Sequence, residues 1–310
     1  YKRFKSNEIP YARVRARFQD VEQEVVADGE GFFDVTIEPH SPLPAGRLWH
    51  QIELELVEPR REYQPEPVTA TGDVLVAPPT AEYIVISDLD DTVVHTDAAN
   101  LLRMARTVFL SNARMRLPFE GVAAFYRALH AGSTGHAQNP MFYVSNSAWN
   151  MYDLLSDFLN LHEIPIGPVI FLRNWGVSQE GIAPLNPSEH KLDYIRRILE
   201  TFTDLPFILI GDSGEQDPEI YTEAVRLHPN RIMAVYIRNV SRKPERPEQL
   251  KALAEQVLAA GSTMILAQTT VPLAEHAVAQ GCMQASRLPE VQAERDADAA
   301  PPSAMEKLLG

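Results

Sequence analysis

Apolar and polar residues alternate along the first part of the chain, and the period changes near residue 83. In "ARVRARF" (12–18), Val14, Ala16 and Phe18 fall on one side and the arginines on the other, the period-two pattern of a half-buried strand. "GFFDVTIEPH" (31–40) and "WHQIELELVEP" (49–59) alternate similarly, and "DGEG" (28–31) supplies a turn signal. Several short strands in a row predict a small β-sandwich or barrel. The stretch 59–82 then brings five prolines and few apolar residues, the signature of a linker.

From Tyr83 the pattern becomes strand–helix alternation. "YIVIS" (83–87), "MFYVS" (141–145), "PVIFL" (168–172), "PFILIG" (206–211), "RIMAVYI" (231–237) and "TMILA" (263–267) are short apolar β-runs. Helical patterns such as 148–162 and 188–202 lie between them. This alternation predicts an α/β, Rossmann-like, mainly parallel sheet preceded by a small all-β domain. The polar, acidic stretch 285–310 reads as a disordered tail. The expected division is therefore a β-domain with its Pro-rich linker over 1–80, an α/β domain over 81–284, and the tail.

Composition changes this picture little. Of 310 residues, 45% are hydrophobic and 23% charged, ordinary values for a globular protein. The net charge of −14 argues against a nucleic-acid binder held by general electrostatics. The single cysteine, Cys282, excludes an internal disulfide and suits a reducing compartment, so the expected location is cytoplasmic. No apolar run reaches the roughly 18 residues of a membrane span. Basic residues crowd the N-terminus (Lys2, Arg3, Lys5, Arg13, Arg15, Arg17). A solvated strand face explains them, with contact to an anionic surface as the alternative.

Candidate chemistry sits where the strands end, the place at which such sheets bind ligands. Asp88, Asp90 and Asp91 crowd the end of the first α/β run, and like charges that close call for a cation among them. Magnesium, which takes oxygen ligands, fits. Ser145 and Asn146 follow the second run, and Asp212 and Asp217 follow the fourth. Lys191 stands near the start of a predicted helix, where a cation opposes the dipole and a capping box would want Glu or Gln; an anionic partner resolves that conflict. Carboxylates, a hydroxyl and a lysine converging on one crevice suit phosphoryl transfer.

The order "DLDDT", "VSNS", "HK", "GDSGEQD" resembles the four motifs of the haloacid dehalogenase superfamily of phosphatases. "YVSNSAWNMYDLL", "GPVIFLRNWG", "FILIGDSGEQDPEIY" and "VYIRNVS" are similar to the catalytic domain of the phosphatidate phosphatases of the actin patch protein type, over roughly Tyr83 to Met283. The resemblance implies the haloacid dehalogenase fold and an Mg2+-dependent phosphatase acting through an aspartyl-phosphate. Asp88 is then the nucleophile and Asp90 the general acid and base. Asp88, Asp90 (through its carbonyl) and Asp212 hold magnesium, and Thr92, Ser145, Asn146 and Lys191 hold the phosphoryl group. Asp217 orients the others or acts through water, although an Asp before Pro218 also reads as a helix N-cap.

The substrate expected from this resemblance is phosphatidate. The segment 100–121 could rest on a membrane surface, because it mixes Leu101, Leu102 and Phe109 with Arg103, Arg106, Arg114 and Arg116. The alternatives are a soluble phosphomonoester on the same fold, and a non-catalytic lipid-binding or scaffold protein. The last predicts eroded catalytic motifs, and these are intact.

Overall fold

A computed structural model describes residues 8–60, 66–89, 119–145, 149–171, 187–241 and 243–300. The chain divides into two compact units, Tyr1–Pro79 and Thr80–Gly310.

In the first unit, strands β1 (Arg13–Phe18), β2 (Val21–Val26), β3 (Trp49–Glu58) and β4 (Val68–Leu75) form one antiparallel sheet in the order β2-β1-β3-β4. Val14, Ala16 and Phe18 are buried. The opposite face of β1 carries an ion-pair ladder: Arg15 reaches Glu24 at 2.7 Å and Glu55 at 3.0 Å, and Arg17 reaches Glu22 at 2.7 Å and Glu53 at 3.3 Å. The basic strand is thus neutralised by its neighbours.

This sheet departs from the sequence expectations in three ways. Residues 31–40 are irregular, because both edges of β1 are already paired, to β2 and β3; Phe33 packs on the apolar face from a loop. The described strands therefore form a single sheet rather than a sandwich or barrel. "VEQEVV" pairs instead, through a tight turn at Gln19 and Asp20 with Gln19 in the left-handed region at φ 53°. Finally, part of the supposed linker is β4, in register with β3 from Leu56↔Val68 to Trp49↔Leu75.

The second unit holds a six-stranded sheet, β5 (Ile84–Asp88), β6 (Met141–Ser145), β7 (Val169–Phe171), β8 (Phe207–Asp212), β9 (Ile232–Arg238) and β10 (Met264–Ala267). Every pairing is parallel, and the order is β10-β9-β8-β5-β6-β7. β5, β6 and β8 are buried along their whole length, which is why they read as continuous apolar runs. The chain runs outward from β5 to β7, then returns beside β5 as β8 and runs outward the other way. The switch point of the topology lies between β5 and β8, where the crevice beyond the carboxyl ends binds ligands in such sheets.

The helices are α1 (Val122–Ala131), α2 (Tyr152–Leu161), α3 (Pro187–Thr201), α4 (Asp217–Leu227), α5 (Arg246–Ala259), α6 (Thr270–Ala279) and α7 (Leu288–Ala299). α3 and α5 pack on α4, while α1, α6 and α7 pack together. Among the described residues no helix is long and apolar enough to cross a membrane.

Residues 288–299 correct the expectation of a disordered tail. They form α7, with Val291 buried, and their acidic side chains serve another helix. Asp298 accepts from the Gly121 amide and Glu294 from the Ala124 amide, both at 2.8 Å. These are donors that the first turn of α1 cannot satisfy internally, and the dipole there favours anions. Arg127 adds pairs to Glu290 at 3.1 Å and Glu294 at 2.6 Å.

Candidate active site

β5 delivers Asp88 and β8 delivers Asp212 to the same edge of the sheet, one on each side of the switch point. Both are fully buried, as is Asp217 at the start of α4. One ligand oxygen from each of the three lies within 4.8 Å of the others.

Lys191 stands among them. Its ammonium donates to Asp88 Oδ1 at 2.6 Å and also to Asp217 Oδ1. Burial alone lowers a lysine pKa, but the charges of Asp217 and Asp88 outweigh it and hold Lys191 well above its ordinary value. The local misfit of a cation early in α3 therefore has its anionic partner. α3 begins at Pro187, so Lys191 is its fifth residue, one turn in from the start.

Asp217 differs from an N-cap. It is the first residue of α4, after the N-cap position held by Gln216, and its side chain turns back to the sheet. Its Oδ2 accepts from the Asp212 amide at 3.1 Å, while Oδ1 takes Lys191. With both oxygens engaged, Asp217 links Lys191 to the end of β8. Only glycine at 211 permits this, since a Cβ there would lie 2.2 Å from Asp217 Oδ2.

The Asp212 Oδ1 atom accepts from the amides of Gly214 at 2.6 Å and Glu215 at 3.3 Å. Oδ2 is buried and has no hydrogen-bond partner among the described residues. Burial first, then the charge of Asp217, pushes the Asp212 carboxyl up to about 6, against the lowering pull of those amides and Lys191. Three carboxylates against one ammonium leave an excess of negative charge. The orphaned oxygen, the excess charge and the all-oxygen donor set fit a hard divalent cation.

Beneath the site, Ser87 Oγ donates to the Asp88 carbonyl at 2.7 Å and meets the Tyr126 hydroxyl at 2.6 Å. Tyr221 donates to the Ile210 carbonyl at 2.9 Å. These bonds satisfy the polar groups under the carboxylates and fix the two strand ends. Ser145, buried at the end of β6, closes the row on the far side of β5. Asp90, Thr92 and Asn146 lie outside the described residues, as do Asp91 and the segment with Arg103, Arg106, Arg114 and Arg116. The described structure thus brings together Asp88, Lys191, Asp212 and Asp217. Sequence reasoning gave no role to Gly211 and Gly214, whose missing side chains leave room for the Asp217 and Asp212 carboxylates.

Strand order, switch point and the buried carboxylate–lysine cluster define an α/β protein with a candidate cation site at the carboxyl ends of its parallel strands. Residues 83–239 match the model of the phosphatidate phosphatase APP1 catalytic domain, and the chain belongs to that family. It is 37% identical over 155 residues to "Phosphatidate phosphatase APP1" of Saccharomyces cerevisiae, covering 50% of this chain and 25% of that protein. An uncharacterized protein of Schizosaccharomyces pombe is 33% identical over 158 residues, with the same shares covered. The matched segment spans about a quarter of the length of these curated relatives.

Proposed function

We propose that the α/β unit carries an Mg2+-dependent phosphomonoester hydrolase site of haloacid dehalogenase type, working through an aspartyl-phosphate on Asp88. One observation carries this reading: Asp88, at the strand end, is gripped by the buried Lys191 at 2.6 Å beside two further carboxylates. Magnesium would be held by Asp88, Asp212 and the carbonyl of Asp90. When bound it offsets phosphate charge and polarises the phosphoryl group.

The protein residues then divide the work. An Asp88 oxygen attacks phosphorus in line, forming the O–P bond as the bond to the leaving oxygen breaks. Asp90 gives that oxygen its proton. It then takes a proton from the water that attacks phosphorus, which frees phosphate and restores Asp88. Thr92, Ser145 and Asn146 hold the phosphoryl oxygens. Lys191 stays protonated between Asp88 and Asp217 and keeps the nucleophile in place.

Phosphatidate is the proposed substrate, with diacylglycerol and phosphate as products; the family and the name of the yeast relative support it. A second reading, a soluble phosphomonoester, draws on a cavity of about 620 Å³ beside Lys191, lined by polar groups including Ser188, Gln216, Ser241 and Gln249. The test compares vesicle-borne phosphatidate with p-nitrophenyl phosphate, each with Mg2+ and with EDTA. Higher kcat/KM on phosphatidate is expected, and the reverse order favours the soluble substrate. Hydrolysis of neither, in folded protein with Mg2+, refutes the hydrolase.

A further inference from the structure

Arg246 is buried at the start of α5. A cation in the first turn of a helix meets the positive end of the dipole, so its position needs a reason. The guanidinium supplies one. Nε donates to the Ser213 carbonyl at 3.1 Å, and Nη2 donates to the Glu215 carbonyl and to Glu219 Oε2, each at 3.0 Å. Nη1 donates to Glu219 Oε1 and, at 3.5 Å, to Gln249 Oε1. Every N–H of the fork is engaged.

The contact with Ser213 reaches furthest. The Ser213 carbonyl and the Gly214 N–H belong to one planar peptide and point opposite ways. That same N–H donates to Asp212 Oδ1 at 2.6 Å. Arg246 therefore grips one end of a rigid plane whose other end grips Asp212. Space at the junction is tight: a Cβ on Gly214 would lie 2.9 Å from Asp212 Oδ1. The Ser213 side chain ties the same loop to the end of β9, because its Oγ accepts from the amides of Val240 at 2.9 Å and Ser241 at 3.1 Å.

We infer that Arg246 is a positioning residue for the cation site. Through the Ser213–Gly214 peptide it fixes the Asp212 carboxylate with Oδ1 occupied and Oδ2 presented to the metal. The inference rests on the reading of Asp212 as a metal ligand. Arg246 lies beyond residue 239, where the family match ends. Lysine cannot replace it, since one ammonium cannot span two carbonyls and a carboxylate in the planar geometry of the fork.

The test is Arg246→Lys in the full chain, with Mg2+ binding measured by titration calorimetry in the absence of substrate. The Mg2+ dependence of p-nitrophenyl phosphate turnover is followed beside it. The Mg2+ dissociation constant should rise about tenfold or more, the usual effect of removing an outer-shell partner. The half-saturating Mg2+ should rise by the same factor, while turnover at saturating Mg2+ recovers. A lower melting temperature with unchanged Mg2+ affinity would mean a structural role alone and overturn the inference. If Arg246→Lys does not fold, Glu219→Ala, which removes the anchor of the fork, decides. A weaker affinity there supports the inference and an unchanged one overturns it. Wild-type protein that binds no Mg2+ would instead remove the reading of the site on which the inference rests.

Discussion

Lys191 Nζ lies 2.6 Å from Asp88 Oδ1 across 103 residues of chain, and the same ammonium is shared with Asp217. Both carboxylates are fully buried, so the lysine is what makes their charges tolerable in the core. Replacing it by methionine leaves them without their counter-charge. Breaking a buried ion pair by removing one partner costs about 3–5 kcal/mol. Urea denaturation of Lys191→Met at pH 7 should show a loss of that size. A change below about 1 kcal/mol, the scale of an exposed pair, would mean that the pair is not buried in solution.

Asp88→Asn keeps the size of the side chain and removes the proposed nucleophile. Phosphomonoester turnover should fall to background while circular dichroism stays native. Full turnover in the variant would end the nucleophile assignment.

Metal binding should depend on pH through Asp212, whose carboxyl is pushed up to about 6 by burial and by Asp217. The cation binds the deprotonated form, so a raised pKa lets protons compete. Above pH 7 the carboxylate is free to bind. At pH 5 only about one site in ten is deprotonated, so Mg2+ affinity should drop about tenfold between pH 7 and pH 5. Calorimetric titrations at the two values measure this, and Asp212→Ala should bind weakly at both. A flat profile in wild type would count against Asp212 as a ligand.

The acidic face of α7 makes a stability prediction. Glu294 and Asp298 supply caps to α1 from outside it. Glu294→Ala and Asp298→Ala should each cost about 0.5–2 kcal/mol, as lost N-caps do. Equal denaturation midpoints for wild type and both variants would show that α7 does not dock in solution.

The membrane reading makes its own claim. A surface of anionic lipid repels a chain of net charge −14 unless a basic face leads. Replacing Arg103, Arg106 and Arg114 by glutamine should lower turnover on phosphatidate vesicles and spare p-nitrophenyl phosphate, because each basic residue near such a surface contributes about 1 kcal/mol. Arg15→Gln is the control and should change neither, since Arg15 is already paired with Glu24 and Glu55. Equal loss on both substrates would assign the three arginines to the fold or the site.

The central strands of the parallel sheet, β5, β6 and β8, were legible because they are buried on both faces and so read as unbroken apolar runs. Asp88, Asp212 and Lys191 were legible because charge at a strand end or helix start conflicts with its local surroundings. β2 and β4 were not, since their polar residues make sense only opposite β1 and β3, where Glu22 meets Arg17 and Thr69 meets Glu55. α7 was hidden for a similar reason: its carboxylates look like a solvated tail until the donors of α1, 170 residues away for Glu294, come beside them. Arg246 is the first residue of α5, and a cation at a helix start, the signal read at Lys191, would have singled it out.

The covalent step on Asp88 is the central claim, and chemical trapping tests it most directly. Borohydride reduces an acyl phosphate to the alcohol, so protein quenched with borohydride during turnover should yield homoserine at position 88. Peptide mass spectrometry reads the outcome. Homoserine at 88 that depends on both substrate and Mg2+ is the predicted result. Unmodified Asp88 in protein quenched during steady turnover, or homoserine at another carboxylate, would contradict the account.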